Sequence, residues 1–302
     1  METERHSPRY SAIEAWSPAD ILEAMIEGQF SAVAAVRAAR PALEEAALAI
    51  EPRLRDGGRL AYAGAGTSGR LAVQDGAELM PTFSWPQERL LLLIAGGREA
   101  LVRSVEGAED ESEEAIRLVR RYEMETRDVL IAVAASGTTP FTLACLREAK
   151  RRGALTIAIA NNRDTPLLAE AGHPIWLDTG PEPIAGSTRM KAGTAQRIAL
   201  NLLSSLVMIR LGRVYCGLMV DLKAVNKKLL RRSEKILLEL SGRGREEVHD
   251  ALRRAEGNVK TALLLLEGCD LAEAARMLDR SGGHLRTAKA LIETRRGAKK
   301  QT

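Results

Sequence analysis

Aromatic residues are scarce in this 302-residue chain: three Trp, four Tyr and three Phe, 3% in all. So few rings argue against a platform for stacking bases or sugars. Cysteine is equally rare. Cys145, Cys216 and Cys269 lie far apart with no C-x-x-C pair, so neither zinc nor a disulfide framework is indicated, and buried free thiols in a reducing compartment are expected. The four histidines (His6, His173, His249, His284) have neither triad nor metal spacing. The start, METERHSPRYSAIEAW, has no apolar leader core, and no run of about eighteen apolar residues occurs, which predicts a soluble, cytoplasmic protein with no membrane partner. The net charge is only +4 and the basic residues fall in local clusters, among them Lys150-Arg151-Arg152, Lys227-Lys228, Arg231-Arg232 and the tail from Arg295 to Lys300. Solvated helix faces and a loose tail explain these better than a nucleic-acid stripe. No fixed-period repeat or low-complexity tract is present.

Forty-five per cent of the residues are hydrophobic, enough for a substantial core. Residues 18–54 read as helical, with Ser17 as N-cap, Pro18 in the first turn and a break or kink at Pro41. Apolar runs at 60–64, 90–95, 129–135, 155–160 and 175–177 then alternate with helical patterns at 68–80, 111–124, 140–152 and 165–171. Continuously apolar strands separated by helices predict an α/β fold, with a five-stranded parallel sheet sandwiched by helices. Long helices are expected over 191–211 and 220–240, and three short ones over 242–292, between breaks at Gly257, Gly268 and Gly282-Gly283. The implied organisation is an N-terminal helical segment (1–54), a sheet-containing domain (55–240), and a small C-terminal helical module with a basic tail (241–302).

Ligands of open α/β sheets bind beyond the carboxyl ends of the strands. Three loops rich in Ser, Thr and Gly fall at that level. After the first strand comes Gly64-Ala65-Gly66-Thr67-Ser68-Gly69, after the third Ser136-Gly137-Thr138-Thr139-Pro140, and after the fifth Gly186-Ser187-Thr188, just ahead of Lys191. One such loop is an ordinary N-cap; three at one sheet edge favour a polyhydroxylated, phosphorylated ligand. The first also fits the dinucleotide spacing G-x-G-x-x-G, but the next strand ends in Gly96-Gly97-Arg98 rather than in the acid that would hold a ribose. Its Thr67 and Ser68 hydroxyls suit a monophosphate instead, at a helix start whose dipole favours anions. Among the acids, Asp75 and Glu78 share a helix face, and spacing alone reads them as a solvated or salt-bridged pair. Glu106, Glu109, Asp110 and Glu111 gather where a helix begins, as acids do for the dipole alone. Physical reasoning does not choose between Glu106 and Glu109.

Taken in order, GAGTSGRLAVQDGAE, LIAGG, VEGAED, AASGTTPF, GPEPIAGSTRMKAGTAQ and the closing SGGHLR resemble the N-acetylmuramic acid 6-phosphate etherase family, within the sugar-isomerase-domain superfamily. The resemblance covers nearly the whole chain, and the segment around Gly257-Asn258-Val259-Lys260 resembles that family's small ubiquitin-associated-like domain. It implies cleavage of a D-lactyl ether in the recycling of cell-wall amino sugars, with no metal or cofactor. It also implies a homodimer with the site at the interface, and no nucleic-acid partner. The family's catalytic glutamates fall on Glu78, as proton donor to lactate, and Glu109, as base at C2. Gly66, Thr67, Ser68, Ser136, Thr138, Thr139, Ser187, Thr188 and Lys191 are then expected to contact the substrate. The chain departs from the family pattern at Leu79-Met80 before Pro81, at Thr138 where arginine is usual, at Pro183, and at His6 and Glu14. Rival activities on the same architecture are a non-catalytic sugar-phosphate regulator like the glucokinase regulatory protein, an aldose–ketose phosphosugar isomerase, and a DNA-binding regulator. The first normally carries two such domains, and the last needs a recognition helix that the alanine-rich first helices do not offer.

Overall fold

The computed structural model describes residues 1–222 and 227–299. Residues 223–226 of the helix expected over 220–240, and the Lys300 end of the basic tail, lie outside the described residues. The chain forms two compact units, one of residues 1–78 with 86–205, the other of 79–85 with 206–302.

In the first unit, α1 (Pro18–Ala38) starts where the Ser17 hydroxyl accepts the Asp20 amide at 3.2 Å, and Pro41 begins a second helix, α2 (Arg40–Arg55), rather than kinking the first. There follow β1 (Leu60–Gly64), α3 (Gly66–Phe83), β2 (Leu90–Ile94), α4 (Ser112–Arg121), β3 (Val129–Val133), α5 (Pro140–Arg151), β4 (Leu155–Ala160), α6 (Pro166–Glu170), β5 (His173–Trp176) and α7 (Lys191–Arg210). The five strands are parallel in the order β2-β1-β3-β4-β5. Every residue of β1 and β3 is buried, the reason their sequences show no polar alternation. On one side of the sheet Ala61, Ala63, Leu130, Ala132 and Ala158 pack with Phe141, Cys145 and Leu146 of α5 and Val119 of α4. Gly64 is level with Ile94 and Val133, and Ala160 with Trp176. This register brings the loops after the strands out along one edge.

The second unit holds a hairpin, β6 (Val214–Tyr215) and β7 (Leu218–Met219), and helices α8 (Lys227–Ser241), α9 (Arg245–Arg254), α10 (Val259–Leu266), α11 (Leu271–Arg280) and α12 (Leu285–Lys299). Its core includes Leu237, Val248, Leu252, Val259, Leu263, Met277 and Ile292. Two expectations are corrected. Three glycine breaks delimit four short helices after α8, not three, because 285–299 buries Leu285, Ala288 and Ile292. Cys145 and Cys269 are buried, but Cys216 is exposed in the β6–β7 turn with φ +50°.

Candidate functional site at the carboxyl edge of the sheet

β1 runs into α3 with only Ala65 between them. A Cβ on Gly69 would lie 2.8 Å from the carbonyl carbon and oxygen of Gly64, and one on Gly64 would lie 2.9 Å from the Gly69 backbone. The outer glycines of the G-x-G-x-x-G spacing therefore serve close strand–helix approach. α3 begins at Gly66, two residues earlier than the sequence pattern predicts, so Thr67 and Ser68 belong to its first turn. First-turn amides have no partner within a helix, and the 8%-exposed Ser68 and half-buried Thr67 stand among them.

After β3, Gly137 takes φ +68° against Thr165, where any Cβ would collide at 2.3 Å with the threonine hydroxyl. Ser136 and Thr139 hydroxyls lie 3.2 Å apart, and the Thr138 amide donates to Ser136 Oγ at 3.2 Å. Thr139 occupies the N-cap of α5 without capping it, because its hydroxyl is turned to Ser136. Thr138 is exposed. After β5, Ser187 and Thr188 lie half-buried in tight turns, Ser187 donating its amide to Ile184 O and Thr188 to Gly186 O.

The start of α7 is capped from within by Glu182, a residue the sequence reading passed over. Only 1% exposed, it accepts the Lys191 amide at 3.1 Å and the Ala192 amide at 2.8 Å. Burial raises its carboxyl above the usual range, against the pull of the two amides and of Lys191. Lys191 is itself 5% exposed, and among the described residues no hydrogen bond or ion pair meets its ammonium. Burial lowers its pKa, opposed by Glu182.

The structure brings the three turns together. A Cβ on Gly193 in α7 would lie 3.5 Å from the Thr67 methyl, so the first and third turns adjoin. Thr3, fully buried, stitches the second to the third. Its amide donates to Asn162 Oδ1 at 3.2 Å, Asn162 Nδ2 donates to Thr3 Oγ1 at 2.9 Å and Ala135 O at 2.8 Å, and the Gly186 amide donates to Thr3 O at 2.9 Å. The signal for this link in the sequence is the Asn161-Asn162 pair that directly follows the apolar β4, at the same edge as the Ser/Thr/Gly loops.

The acids separate into two kinds. Asp75 is not half of a solvated pair: it is 3% exposed and accepts Tyr62 OH at 2.8 Å and Ser204 Oγ at 3.2 Å. Burial raises its pKa, partly offset by those two donors. Glu78 is exposed on α3, ten residues beyond Ser68 and so about 15 Å along an unbroken helix. Helical side chains lean toward the N-terminus, which shortens that gap. Glu109 is exposed in a 3-10 turn (Ala108–Asp110) entered through Gly107 at φ +73°. Neither glutamate has a hydrogen bond or ion pair among the described residues. Beside that turn, a 360 Å³ cavity is lined by Val105, Glu106, Ala108, Glu111 and Phe141, but not by Glu109.

The chain is similar in sequence to known proteins over nearly its whole length. Residues 43–150 match the family model of the glucokinase regulatory protein N-terminal SIS domain, and 109–206 that of the SIS domain. Among solved structures, a phosphoheptose isomerase from Francisella tularensis aligns with 64% of this chain and 100% of its own, at TM-score 0.49 and 21% identity. Relatives matched along nearly their full length are N-acetylmuramic acid 6-phosphate etherases. That of Deinococcus radiodurans is 50% identical over 94% of this chain and 93% of its own. That of Streptomyces avermitilis is 44% identical over 96% and 94%, and that of Edwardsiella ictaluri 42% over 95% and 96%. With such identity from end to end, and with the three turns meeting at the sheet edge, the chain belongs to the N-acetylmuramic acid 6-phosphate etherase family.

Proposed function

We propose that this chain is a lyase-type etherase that converts N-acetylmuramic acid 6-phosphate to N-acetylglucosamine 6-phosphate and D-lactate, in the recycling of cell-wall amino sugars. The observation that carries this reading is the convergence of the Thr67-Ser68, Ser136-Thr139 and Ser187-Thr188 turns beside Lys191, in a chain whose relatives bear that name. Phosphate sits at the first turn of α3, where amides, hydroxyls and the helix dipole favour it. Gly66, Thr138, Thr139, Ser187 and Thr188 line the sugar, and Lys191 takes a carboxylate or phosphate oxygen. The sugar lies along α3 toward Glu78.

Ring opening exposes an aldehyde at C1 and acidifies the C2 proton. Glu109 removes that proton, the C2–C3 double bond forms as the C3–O bond breaks, and Glu78 protonates the departing lactate. Water then adds across the double bond, its oxygen to C3 and a proton to C2. An acid that is protonated near neutral pH needs a desolvated setting, whereas both glutamates are exposed on the single chain. We therefore assign a homodimer with the site at its interface. Leu22, Ile26, Phe30 and Val33, exposed to between 50% and 70%, form an apolar stripe along α1. Leu22 and Ile26 line a 370 Å³ cleft with Met190 and Thr194, beside the third turn. The reading places the protein in the cytoplasm; among the described residues no helix is long and apolar enough to cross a membrane.

The test is turnover of N-acetylmuramic acid 6-phosphate in ¹⁸O-labelled water. D-lactate should appear without label and the sugar product should carry the label at C3. A ketose product would indicate an isomerase, and binding without turnover a regulator.

A further inference from the structure

Pro81 stands three residues beyond Glu78, inside α3. It has no amide to give the Ala77 carbonyl, and its ring crowds that carbonyl, so the helix has a weak joint just past Glu78. The helix then stops abruptly. Ser84 takes φ +52°, its amide donates to Met80 O at 2.9 Å, and the Trp85 amide donates to Leu79 O at 3.3 Å. The Ser84 bond is that of an αL cap, with serine where glycine is usual.

An arginine grips this stop from outside the helix. Arg213 Nη1 donates to Phe83 O at 2.6 Å and Ser84 O at 3.3 Å, and the guanidinium lies 5.1 Å from the centre of the Trp85 ring. Arg213 is in turn held by Asp221 at 3.0 Å, whose other oxygen meets Lys260 Nζ of α10 at 3.1 Å. Lys260 is only 5% exposed. Burial disfavours the charged form of both cations, and Asp221 opposes it. Apolar residues filling the same space would hold the fold at least as firmly. What the Lys–Asp–Arg chain, buried at Lys260 and part-buried at Asp221 and Arg213, adds is a fixed direction for the guanidinium.

We propose that Arg213, held by Asp221 and Lys260, is a positioning residue for Glu78: it pins the last turn of α3 and thereby sets the direction from which the Glu78 carboxylate meets the departing oxygen. The inference rests on Glu78 being the acid of the proposed reaction. Phe83, the gripped residue, is five residues and so about 7.5 Å along the helix from Glu78. With the joint at Pro81 between them, freeing that turn frees the acid. The C-terminal helices thereby acquire a part in the reaction, through Lys260.

Steady-state kinetics on the full chain tests this, using Arg213→Lys, Lys260→Met, Arg213→Lys/Pro81→Ala and, as reference, Glu78→Gln. Arg213→Lys keeps the charge but loses the planar fork. Its kcat should fall roughly ten- to a hundredfold, the scale of a misplaced catalytic group, with KM within about threefold. Pro81→Ala restores the Ala77 hydrogen bond and should recover most of that loss. Unchanged kcat in folded Arg213→Lys, a loss confined to KM, or no recovery by Pro81→Ala would overturn the proposal. If Arg213→Lys does not fold, Lys260→Met decides: a lower kcat at near-constant KM supports the clamp, and an unchanged kcat refutes it. If Glu78→Gln is itself fully active, the underlying reading of Glu78 fails instead.

Discussion

Lys191 and Asp75 both sit below 6% exposure, yet their surroundings differ in kind. Asp75 is satisfied by Tyr62 and Ser204 and so belongs to the scaffold. Among the described residues no hydrogen bond or ion pair meets the Lys191 ammonium, and a bound anion would supply one. Lys191→Met should therefore raise KM by roughly ten- to a hundredfold, the worth of a charge-assisted hydrogen bond of about 1.5–3 kcal/mol. The melting temperature should hold or rise, because an unpaired buried cation is removed. A lower melting temperature with unchanged KM would make Lys191 a structural residue. The sequence made Lys191 legible through its place after Gly186-Ser187-Thr188. It hid Glu182, Thr3 and Asn162, since their hydrogen bonds join residues 9 to 183 positions apart and leave no local period. Asp75 was misread for a related reason: spacing gives the face of a helix, not what covers it.

At the scale of elements, the strands were the most legible part, because burial on both faces of a parallel sheet leaves an unbroken apolar run. Helix ends were less so. α3 starts two residues early because Gly64 and Gly69 touch, and it runs past Pro81 because the stop is made at Ser84 and not at the proline. The pairing of α4 with α5 lies outside any sequence pattern. Glu148 of α5, 6% exposed at its side chain, bridges Arg151 on its own helix and Arg120 on α4. These arginines, Arg151 foremost, hold its carboxyl down to about 2 from an ordinary 4.5. A depressed carboxyl contributes stability above its unfolded pKa, so this contribution is complete above about pH 4.5 and fades as pH falls toward 2. Both arginines are more than half exposed, which screens the effect to on the order of 1 kcal/mol. Urea denaturation should show Glu148→Gln less stable than wild type by that amount at neutral pH, and the gap closing in acid. A gap that stays constant with pH would mean that Glu148 acts through packing instead.

For the whole molecule, both proposed catalytic carboxylates and the α1 stripe face solvent in one chain, and a homodimer accounts for both. Phe30→Asp should shift the mass in light scattering from dimer to monomer and reduce turnover with it; a fully active monomer would remove the interface from the account. The division into residues 1–54, 55–240 and 241–302 is a functional proposal, distinct from the two units of the fold. The clamp on α3 gives the last of those segments its part. The most direct test of the account is D-lactate release from N-acetylmuramic acid 6-phosphate by the wild-type chain beside Glu78→Gln and Glu109→Gln. The account predicts release by wild type and a loss of about a thousandfold in each variant, the scale of general acid–base catalysis. No lactate from the wild type, or near-normal release by either variant, would contradict it.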